Sequence, residues 1–412
     1  MASAIEPTSV EIKGTKSEPE NVAEVIDTVR EARAKNLAIA PAGGLTSFDY
    51  GGLRARADVR LSSLKLNRVI DYPADDMTIT VEAGLRLSEL QKILAAQNQY
   101  LPVDPPQGNE ATVGGVIATG WTGPRRHQAM RPRDQLIGVA FVTGTGTVAR
   151  GGGRVVKNVA GYDFPKLLTG SSGCLGMITE LTFKVRPRPE STAVAFIQVH
   201  TAQALDDYLT RLNTSMTRPT AIEVLCRKAA QGPTQKLGMA LSNYTVALFF
   251  DESAKAVNWQ LDQLKKEAPA GSEINILKDE PAKIEQDELT ERLAGAGSKL
   301  VARAVVAPSR LVQLIEKAAG PWNIQAHAGQ GIATLIPAHG VDEIEALESV
   351  SKLRKVVGSI GGTVTMAVCP NEWKPAIDVW GPWRPDWDLM IGVKRALDPQ
   401  SLFNPGVLPG SH

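Results

Sequence analysis

Helical and strand-like spacings of apolar residues alternate in the first hundred residues of the chain. In the segment SEPENVAEVIDTVREARAKN (17–36), apolar residues recur at i, i+3, i+4 and i+7. This spacing predicts an amphipathic helix that starts near Ser17 and Pro19. The apolar run LAIA (37–40) predicts a short buried strand that leads directly into a glycine-rich loop, which gives the chain a β-α-β-like beginning.

The same alternation continues further along the chain. The segment MTITVEAG (77–84) alternates like a half-buried strand, and LSELQKILAAQ (87–97) predicts a second helix with Ser88 and Gln91 as a capping box. From residue 102 to 189 glycine becomes dense, and short strands such as LIGVAFVTG and ITELTFKVRP are separated by glycine-rich connections. We interpret this region as the ligand-binding part of the chain.

The pattern of residues changes near residue 190, which predicts a domain boundary. Pro187 and Pro189 have charged neighbours and cannot continue a central strand. After them, apolar strands (AVAFIQV, YTVALFF and KLVARAVVAP) mix with amphipathic helices (LVQLIEKAAG and VDEIEALESVSKLRKVVG). We therefore predict a boundary near residue 190, followed by an α+β domain from Ala193 to about Gly358 and a tail (KRALDPQSLFNPGVLPG) that consists of a helix end and turns.

Composition narrows the class of protein. The chain has 412 residues, of which 43% are hydrophobic, so it can bury sizeable cores. Lys and Arg (45) nearly balance Asp and Glu (44), which gives a net charge of +1 and no field to attract nucleic acid or anionic lipid. We expect neither of these partners.

Cysteine use and the absence of apolar runs indicate the compartment. Cys174, Cys226 and Cys369 lie far apart and offer no CxxC for zinc or an iron–sulfur cluster. The first twenty residues have mixed charge without an apolar h-region, and no run of 18 apolar residues occurs. We expect a cytoplasmic protein without a transmembrane segment, or one peripheral to the inner face of a membrane.

A dinucleotide fingerprint is suggested by VTGTGTVARGGG (142–153) but is rejected. Gly144, Gly146 and Ala149 match G-x-G-x-x-G/A, yet that fingerprint needs a helix at this point, and three further glycines would break it. The segment is better interpreted as a hairpin turn between two strands. The sequence therefore does not favour an NAD-dependent dehydrogenase, and no P-loop sequence occurs.

Three other glycine-rich segments favour a diphosphate site. They are PAGGLTSFDYGG (41–52), PPQGNEATVGGVIATGWTGPRR (105–126) and TGSSGCLGMITE (169–180). Each offers successive backbone N–H donors without an obstructing Cβ, and Thr112 can cap a short helix in the second segment. Any one of them alone is compatible with a structural turn, but their joint occurrence in one domain favours a cofactor site.

These segments carry a resemblance to a known family. Together with VEAGLRLSELQKIL, VKNVAGYDFPKLLTGSSGCLGMITELTFKVRPRPE and LDPQSLFNPG, they occur in the order seen in FAD-linked oxidases of the vanillyl-alcohol oxidase (PCMH) type. The pattern covers nearly the whole chain and is most similar to the FAD-binding subunits of glycolate oxidases. It implies a PCMH-type FAD-binding domain of two α+β subdomains over residues 1–190, a cap domain over 191–370, and a segment over 371–412 that packs back on the FAD domain.

The resemblance also implies cofactor residues. The 41–46 loop and the 112–120 segment would wrap the pyrophosphate through their N–H groups, the 173–178 turn would line the adenine and ribose side, and Asn404 would return the tail to the flavin domain. The implied residues are Pro41, Gly43, Gly44, Leu45, Thr46, Thr112, Gly114, Gly115, Ala118, Thr119, Gly120, Gly173, Gly176, Ile178 and Asn404.

We expect the FAD to be bound non-covalently. Several relatives attach the flavin through a histidine of the opening loop, and GGLTSFDYGG contains none. Cys174 lies next to the implied cofactor path, but a small buried thiol in a glycine-rich turn explains it better than a reactive role does.

Two residues are candidates for catalysis of 2-hydroxy acid oxidation. Arg303 resembles an arginine of related cap domains whose guanidinium can bind a carboxylate, although an exposed charge on an alternating strand is the alternative. His327 begins HAGQG, which resembles the GHAGDGNLH metal loop of related flavoproteins. Thr334 and Gln330 stand where that loop has its second histidine and its aspartate, so we expect no bound metal. His339 is out of register and is interpreted as a surface loop residue.

A tryptophan-rich segment near the C-terminus leaves three interpretations open. It can wall the flavin pocket, form an interface with another chain, or be an irregular loop pinned by aromatic side chains. The residues concerned are Trp373, Trp380, Trp383 and Trp387.

The resemblance implies an FAD-carrying subunit of a glycolate oxidase or dehydrogenase complex that converts glycolate to glyoxylate. Its implied partners are a homologous catalytic flavoprotein subunit and an iron–sulfur subunit. Two alternatives stay open: a non-catalytic flavin-carrying relay or structural subunit of that complex, and a stand-alone FAD-linked dehydrogenase for D-lactate or another 2-hydroxy acid.

Overall fold

The chain folds into two compact units. The computed structural model describes residues 14–128, 131–153, 161–226, 229, 235–239, 242–295, 297–318 and 320–410. The start of the VKNVAGYD motif (156–160) lies outside these described residues. The first unit consists of residues 1–122, 130–188 and 382–412, and the second of residues 123–129 and 189–381. The predicted domain boundaries at residues 190 and 370 stay predictions.

The first unit begins with a small parallel sheet and one long helix. Strands β1 (Thr15–Ser17), β2 (Ile39–Ala42) and β3 (Val59–Ser62) lie in the order β1-β3-β2. Helix α1 (Val22–Lys35) buries the predicted apolar stripe, with Val25 and Val29 fully inaccessible to solvent.

The predicted start of this helix is wrong. Asn21 is the N-cap, and its side chain accepts a hydrogen bond of 3.0 Å from the N–H of Glu24. Ser17 belongs to β1, whose three residues pair in parallel with β3. Asparagine is as good an N-cap as serine, and pairing with β3 fixes the preceding residues in an extended conformation.

A five-stranded antiparallel sheet forms the other half of the first unit. Its strands lie in the order β4-β5-β9-β7-β8, and two further short strands, β6 and β10, pair with each other. Their bounds are β4 (Val69–Asp71), β5 (Thr78–Glu82), β6 (Gln99–Tyr100), β7 (Leu136–Val142), β8 (Val148–Gly152), β9 (Met177–Lys184) and β10 (Arg186–Pro187). β7 and β8 form an antiparallel hairpin around residues 143–147, so the interpretation of TGTG as a turn is confirmed.

Four short helices accompany this sheet. They are α2 (Leu87–Ala95), α3 (Val113–Thr119), α4 (Pro132–Gln135) and α5 (Phe164–Leu168). The predicted capping box of α2 is wrong, because Arg86 is its N-cap and no side chain caps it. The Gln91 side chain instead bonds both backbone groups of Leu101, at 2.7 and 3.1 Å, and so ties α2 to the following loop.

The second unit is built on one antiparallel sheet of eight strands in the order β14-β11-β13-β12-β16-β17-β15-β18. The strands are β11 (Ser191–Val199), β12 (Ala221–Cys226), β13 (Tyr244–Glu252), β14 (Ile274–Lys278), β15 (Val301–Val305), β16 (Trp322–His327), β17 (Ile332–Pro337) and β18 (Thr363–Val368). The helices are α6 (Ala202–Thr214), α7 (Ala254–Glu267), α8 (Asp279–Glu291), α9 (Leu311–Ala318) and α10 (Glu343–Gly358). The strands and helices predicted here are confirmed, and the fold is α+β as expected.

The two faces of this sheet differ in chemistry. One face carries small and aliphatic residues such as Val224, Ala302 and Ala326, which pack with residues of α6, α7, α9 and α10 in a large apolar core. Successive strand residues alternate between faces, so the residues between them point to the other face. That second face includes a group of buried polar side chains, described below.

The C-terminal helix α11 (Asp386–Leu397) belongs to the first unit. Lys394 on this helix is buried, and its ammonium donates to the carboxylate of Asp398 and to the main-chain carbonyls of Cys174 (2.7 Å) and Phe403 (2.8 Å). Asp398 in turn accepts from the N–H groups of Leu402 and Phe403. This network fixes the tail against the glycine-rich 169–178 turn.

Candidate active site

A cleft opens in the first unit where β2 ends. Segments far apart in the sequence line it: the loop after β2, helix α3, the 172–178 turn and the C-terminal tail. Of the residues implied for the cofactor, those that line it are Pro41, Gly43, Gly44, Leu45, Thr46, Thr112, Gly114, Gly115, Ala118, Thr119, Gly173, Gly176, Ile178 and Asn404. The remaining one, Gly120, ends α3 in the left-handed region (φ 63°) and approaches Gly170 instead.

Glycine is required at two positions where the loop after β2 contacts the start of α3 and the residues before it. A Cβ on Gly43 would lie 2.1 Å from the hydroxyl oxygen of Thr112, and one on Gly44 would lie 1.8 Å from the main-chain oxygen of Glu110. Real Cβ atoms essentially never come so close to another heavy atom. The clustering of glycine in the opening loop is therefore explained by direct contact between two backbone segments at the floor of the cleft.

The opening loop offers a row of backbone donors to the cleft. Within the described part of the chain, the N–H groups of Gly43, Gly44, Leu45 and Thr46 donate to no protein acceptor. Leu45 adopts φ 61°, a left-handed conformation uncommon for a non-glycine residue. Successive N–H groups in a segment of mixed handedness form a concave site for anions, so this loop suits a diphosphate.

Helix α3 begins on the opposite side of this loop. Thr112 is its N-cap and accepts a hydrogen bond of 3.2 Å from the N–H of Gly115. A Cβ on Gly114 would lie 2.8 Å from the carbonyl oxygen of Ala83, so glycine lets the helix approach β5. The predicted cap and short helix are confirmed.

The C-terminal tail reaches the cleft through Asn404. Its N–H donates to the carbonyl of Ile39 (2.8 Å), and its side-chain amide donates to the carbonyl of Ser172 (2.8 Å). Its side-chain oxygen accepts from the Nε of Arg54 (2.9 Å). Asn404 therefore joins β2, the 172–178 turn and the loop that carries Arg54.

Arg54 lines the cleft and was missed by the sequence analysis. Its guanidinium lies 4.0 Å above the centre of the Phe48 ring and donates to the Phe48 carbonyl (3.0 Å) and to Asn404. Burial lowers the pKa of Arg54, and the charge of Asp49 opposes that shift. Even with a lowered pKa an arginine stays charged at neutral pH, so the cleft holds a cation beside its row of N–H donors.

Cys174 lies behind the cleft and is an unreactive thiol. The residue has no exposed surface, and its thiol donates weakly to the carbonyls of Ser172 (3.6 Å) and Asn404 (3.8 Å). Burial raises the pKa of the Cys174 thiol to about 12, so the thiolate does not form at neutral pH. The structural interpretation of this cysteine is confirmed.

In the second unit, both catalytic candidates lie on the second face of the eight-stranded sheet, opposite the face that packs on the large apolar core. Arg303 on β15, Thr334 on β17 and Gln325 on β16 occupy one register row across three adjacent strands. His327 follows two residues after Gln325 on β16 and therefore shares its face. Gln325, His327 and Thr334 are all buried, while Arg303 is half-buried.

His327 is held by a glutamate that the sequence analysis missed. Glu223 on β12 is the cross-strand neighbour of His327, and its carboxylate oxygen lies 2.6 Å from Nδ1 of the imidazole. The other carboxylate oxygen accepts from Nε2 of Gln325 at 3.0 Å. Glu223 has no exposed surface, and the available signal for it was a single charge within the otherwise apolar strand AIEVLC.

A second histidine approaches this pair. His127 belongs to the 123–129 segment of the second unit, and its Nδ1 lies 3.2 Å from the side-chain nitrogen of Gln330. A Cβ on Gly329 would lie 2.1 Å from the same Nδ1, so His127 covers that glycine directly. Burial lowers the pKa of His127, opposed by the charge of Glu223, and the ring is therefore neutral at pH 7.

The remaining residues singled out from the sequence are one histidine and four tryptophans. His339 is exposed in the loop after β17, as expected. Trp373 is buried in the apolar core of the second unit, while Trp387 of the first unit packs edge-on against the half-exposed Trp383, with ring centres 5.3 Å apart. Trp380 is partly buried, and none of the four tryptophans is among the described residues that line the cleft.

The donor set of the cleft fits FAD. The glycine contacts, the unbonded N–H groups and Arg54 supply what a dinucleotide diphosphate needs, and none of the described residues that line the cleft is a histidine or a cysteine. Among the described residues, no group of three His, Cys, Asp or Glu side chains is arranged to hold a metal ion. The first unit thus has the features of a flavoprotein's cofactor domain.

Comparison with known proteins agrees with this class. A family model for an FAD binding domain matches residues 17–152. The glycolate oxidase subunit GlcE of Escherichia coli is 37% identical over 159 residues, which is 38% of this chain and 44% of that subunit, so the match spans less than half of the relative's length. The D-2-hydroxyglutarate dehydrogenase of Xanthomonas citri is 27% identical over 96% of this chain and 89% of its own.

Solved structures share the fold. A 4-ethylphenol oxidase from Gulosibacter chungangensis superposes with a TM-score of 0.69 at 14% identity, over 96% of this chain and 89% of that one. This chain is thus similar to FAD-linked oxidoreductases: residues 17–152 match the FAD binding domain family, and the relatives above are named as a glycolate oxidase subunit and a D-2-hydroxyglutarate dehydrogenase. FAD is the chain's cofactor. No helix in the described ranges is both long and apolar enough to cross a bilayer.

Proposed function

We propose that this chain is the FAD-carrying subunit of a glycolate oxidase or dehydrogenase complex and oxidises glycolate to glyoxylate. The observation that supports it most is one face of the sheet in the second unit, where a guanidinium on β15 and a histidine on β16, held by a buried carboxylate, are separated by the single strand β17. Oxidation of a 2-hydroxy acid needs a cation for the carboxylate and a base for the hydroxyl proton.

The residues divide the reaction between them. FAD, when bound, would supply the acceptor for the hydride that leaves the α-carbon of the substrate. Arg303 binds the substrate carboxylate, because a guanidinium can donate two parallel hydrogen bonds to it. His327 takes the hydroxyl proton, so that the C–H electron pair leaves with the hydride and the C–O bond becomes a carbonyl.

FAD is held without a covalent bond in this proposal. The opening loop and α3 hold the diphosphate through Pro41 to Thr46 and through Thr112 to Thr119, and the 173–178 turn lines the adenine side. Cys174, with its pKa raised by burial to about 12, is unsuited to form a flavin adduct.

The subunit assignment rests on the relatives. The Escherichia coli protein and a Bacillus subtilis protein, GlcD, are both named as subunits of glycolate oxidase. We therefore propose two partners, a homologous catalytic flavoprotein and an iron–sulfur subunit that carries electrons away, and a cytoplasmic location that is peripheral to the membrane through those partners.

Two other functions have specific support. Thr334 and Gln330 replace residues of a related metal loop, which favours a flavin-carrying relay or structural subunit without catalysis of its own. Alignment with a D-2-hydroxyglutarate dehydrogenase over 96% of the chain favours a stand-alone dehydrogenase for D-lactate or another 2-hydroxy acid.

Rapid-mixing kinetics of flavin reduction tests these functions against one another. The FAD-loaded chain, alone and with the two partner subunits, is mixed anaerobically with glycolate, D-lactate or D-2-hydroxyglutarate. We expect fastest reduction by glycolate, and Arg303→Ala should abolish saturation by substrate while FAD stays bound. Preference for D-lactate or D-2-hydroxyglutarate would favour the stand-alone dehydrogenase, and reduction only through the partner subunits would favour the relay.

A further inference from the structure

We infer that Glu223 is the positioning residue of His327, and that the two side chains form a carboxylate–imidazole pair whose free Nε2 is the base for the substrate hydroxyl. The inference rests on the proposed function in its last step only. Whether the pair holds one fixed tautomer is a property of the folded chain and can be measured without substrate.

Backbone register brings the two groups together. Glu223 on β12 and His327 on β16 are directly opposite in the antiparallel ladder, with the next pair being Val224 and Ala326. Directly opposed residues share a face of the sheet with short Cβ separations, so neither side chain needs to bend to reach the other. The contact of 2.6 Å between Oε1 and Nδ1 is a short hydrogen bond, and hydrogen bonds that involve a charged group are shorter than neutral ones.

Gln325 determines which groups donate. Its Nε2 lies 2.9 Å from the main-chain oxygen of Leu289, which can only accept a hydrogen bond, so this atom is the amide nitrogen and not the oxygen. The same Nε2 therefore donates to Oε2 of Glu223 at 3.0 Å. With Oε2 occupied as an acceptor, the carboxylate needs a donor at Oε1, and Nδ1–H of His327 is the group in contact.

Because both groups are buried, the hydrogen bond between Glu223 and His327 is energetically important. Glu223 has no exposed surface and His327 is 3% exposed, so water does not compensate for the carboxylate charge. A buried carboxylate is strongly destabilising without a hydrogen-bonded partner. The favoured state is the one in which Nδ1 carries the proton and Nε2 keeps its lone pair, and protonation of Nε2 then creates a cation next to a fixed negative charge.

The Glu223–His327 pair provides a base in a loop that resembles a metal loop but lacks two of its metal-binding residue types. Thr334 and Gln330 occupy the positions of that loop's second histidine and aspartate, and a hydroxyl and a neutral amide are weak ligands for a divalent cation. The pair balances the proton without a metal: the hydroxyl proton goes to Nε2 of His327 while the hydride goes to the cofactor. Glu223 keeps its hydrogen bond to Nδ1 of His327 in this step.

The first experiment is a 15N NMR measurement of the histidine rings in the FAD-loaded, full-length protein without substrate. His327→Gln identifies the signal of this ring. We expect His327 to show a protonated Nδ1 and an unprotonated Nε2. In Glu223→Gln, the amide can donate to Nδ1, and we expect the tautomer to shift towards a protonated Nε2. A protonated Nε2 in the unaltered protein would overturn the inference.

The second experiment measures flavin reduction by glycolate in the same variants. Since positioned bases contribute about 10² to 10⁴ in rate, we expect Glu223→Gln to slow reduction by about 10²-fold or more with substrate affinity changed less than about threefold. Glu285→Gln is the matched control: Glu285 is a buried carboxylate of α8 in the same unit whose pKa is raised by burial, and it has no contact with His327. We expect that variant to keep both the tautomer and the rate.

The outcomes separate the inference from the proposed function. An unchanged tautomer and an unchanged rate in Glu223→Gln would overturn the positioning role. A wild-type protein that shows the expected tautomer but is reduced by no 2-hydroxy acid would contradict the proposed function and the base role, and leave the positioning of His327 supported. If Glu223→Gln fails to fold, Glu223→Asp decides, because its shorter carboxylate should keep the charge and lose the contact with Nδ1.

Discussion

A single methyl group at Gly44 should separate the two segments that form the floor of the cofactor cleft. In Gly44→Ala the new Cβ would lie 1.8 Å from the main-chain oxygen of Glu110, whereas ordinary contact begins at 3.4 Å. The opening loop must therefore move by about 1.6 Å. Gly44 does not have positive φ, so alanine is not strained in its own backbone and the effect is one of contact alone.

The magnitude follows from the energy of forced overpacking. Such substitutions cost about 1 to 3 kcal/mol, and FAD binding must restore the displaced loop at that cost. We expect the affinity of the apoprotein for FAD to fall by about 5- to 150-fold. Titration of the apoprotein with FAD, followed by quenching of flavin fluorescence, measures this directly.

Gly392→Ala is the matched control for this prediction. Gly392 lies on the exposed side of α11 in the same unit, and a Cβ there meets no heavy atom within 4 Å. We expect unchanged FAD affinity and a gain of about 0.5 to 1 kcal/mol in stability, because glycine is a poor helix former. If Gly44→Ala binds FAD within twofold of the unaltered protein, the contact between the opening loop and Glu110 does not shape the cofactor site.

Three further predictions follow from the first unit. Lys394→Met leaves the fully buried Asp398 without its ion partner and should cost about 3 to 5 kcal/mol in urea unfolding; a loss below about 1 kcal/mol would contradict the role of this pair. Cys174 should resist thiol reagents at pH 8 in the folded protein, since burial raises its pKa to about 12 and the reactive thiolate forms only well above neutrality; modification within minutes, located by mass spectrometry, would refute this. Arg54→Gln should weaken FAD binding by about tenfold and reduce its salt dependence, as expected for loss of a charged hydrogen bond, whereas Arg56→Gln, an exposed arginine paired with an aspartate, should change neither; equal effects in both variants would contradict a specific role for Arg54.

Local signals in the sequence were sufficient for most elements of the fold. The apolar stripe of α1 and the TGTG hairpin each depend on residues within one or two turns of chain, and both were predicted. The predictions that were wrong concerned the start of a helix, and each was overturned by contacts with residues farther along the chain. Gln91 was predicted to cap α2, yet its amide bonds Leu101, because the loop that follows the helix folds back to it.

The residues of the candidate site were likewise predicted where the signal is local and missed where it is not. The glycines of the cofactor cleft are visible in the sequence because close backbone contact leaves glycine few substitutes. Arg54 and Glu223 were missed because their partners, Asn404 and His327, are 350 and 104 residues away, and neither arginine nor glutamate carries a local signature of that contact. Only the strand register, which depends on the whole sheet, brings Glu223 opposite His327.

An anaerobic visible spectrum of the purified chain, before and after addition of glycolate, decides whether this chain is itself a flavoprotein that oxidises glycolate. We expect the isolated protein to show a flavin spectrum, denaturation to release the flavin because it is not covalently attached, and glycolate to bleach the spectrum without the partner subunits. A flavin that stays oxidised under glycolate would contradict catalysis by this chain. A purified, folded chain that neither contains FAD nor binds added FAD would contradict the assignment of the cleft itself.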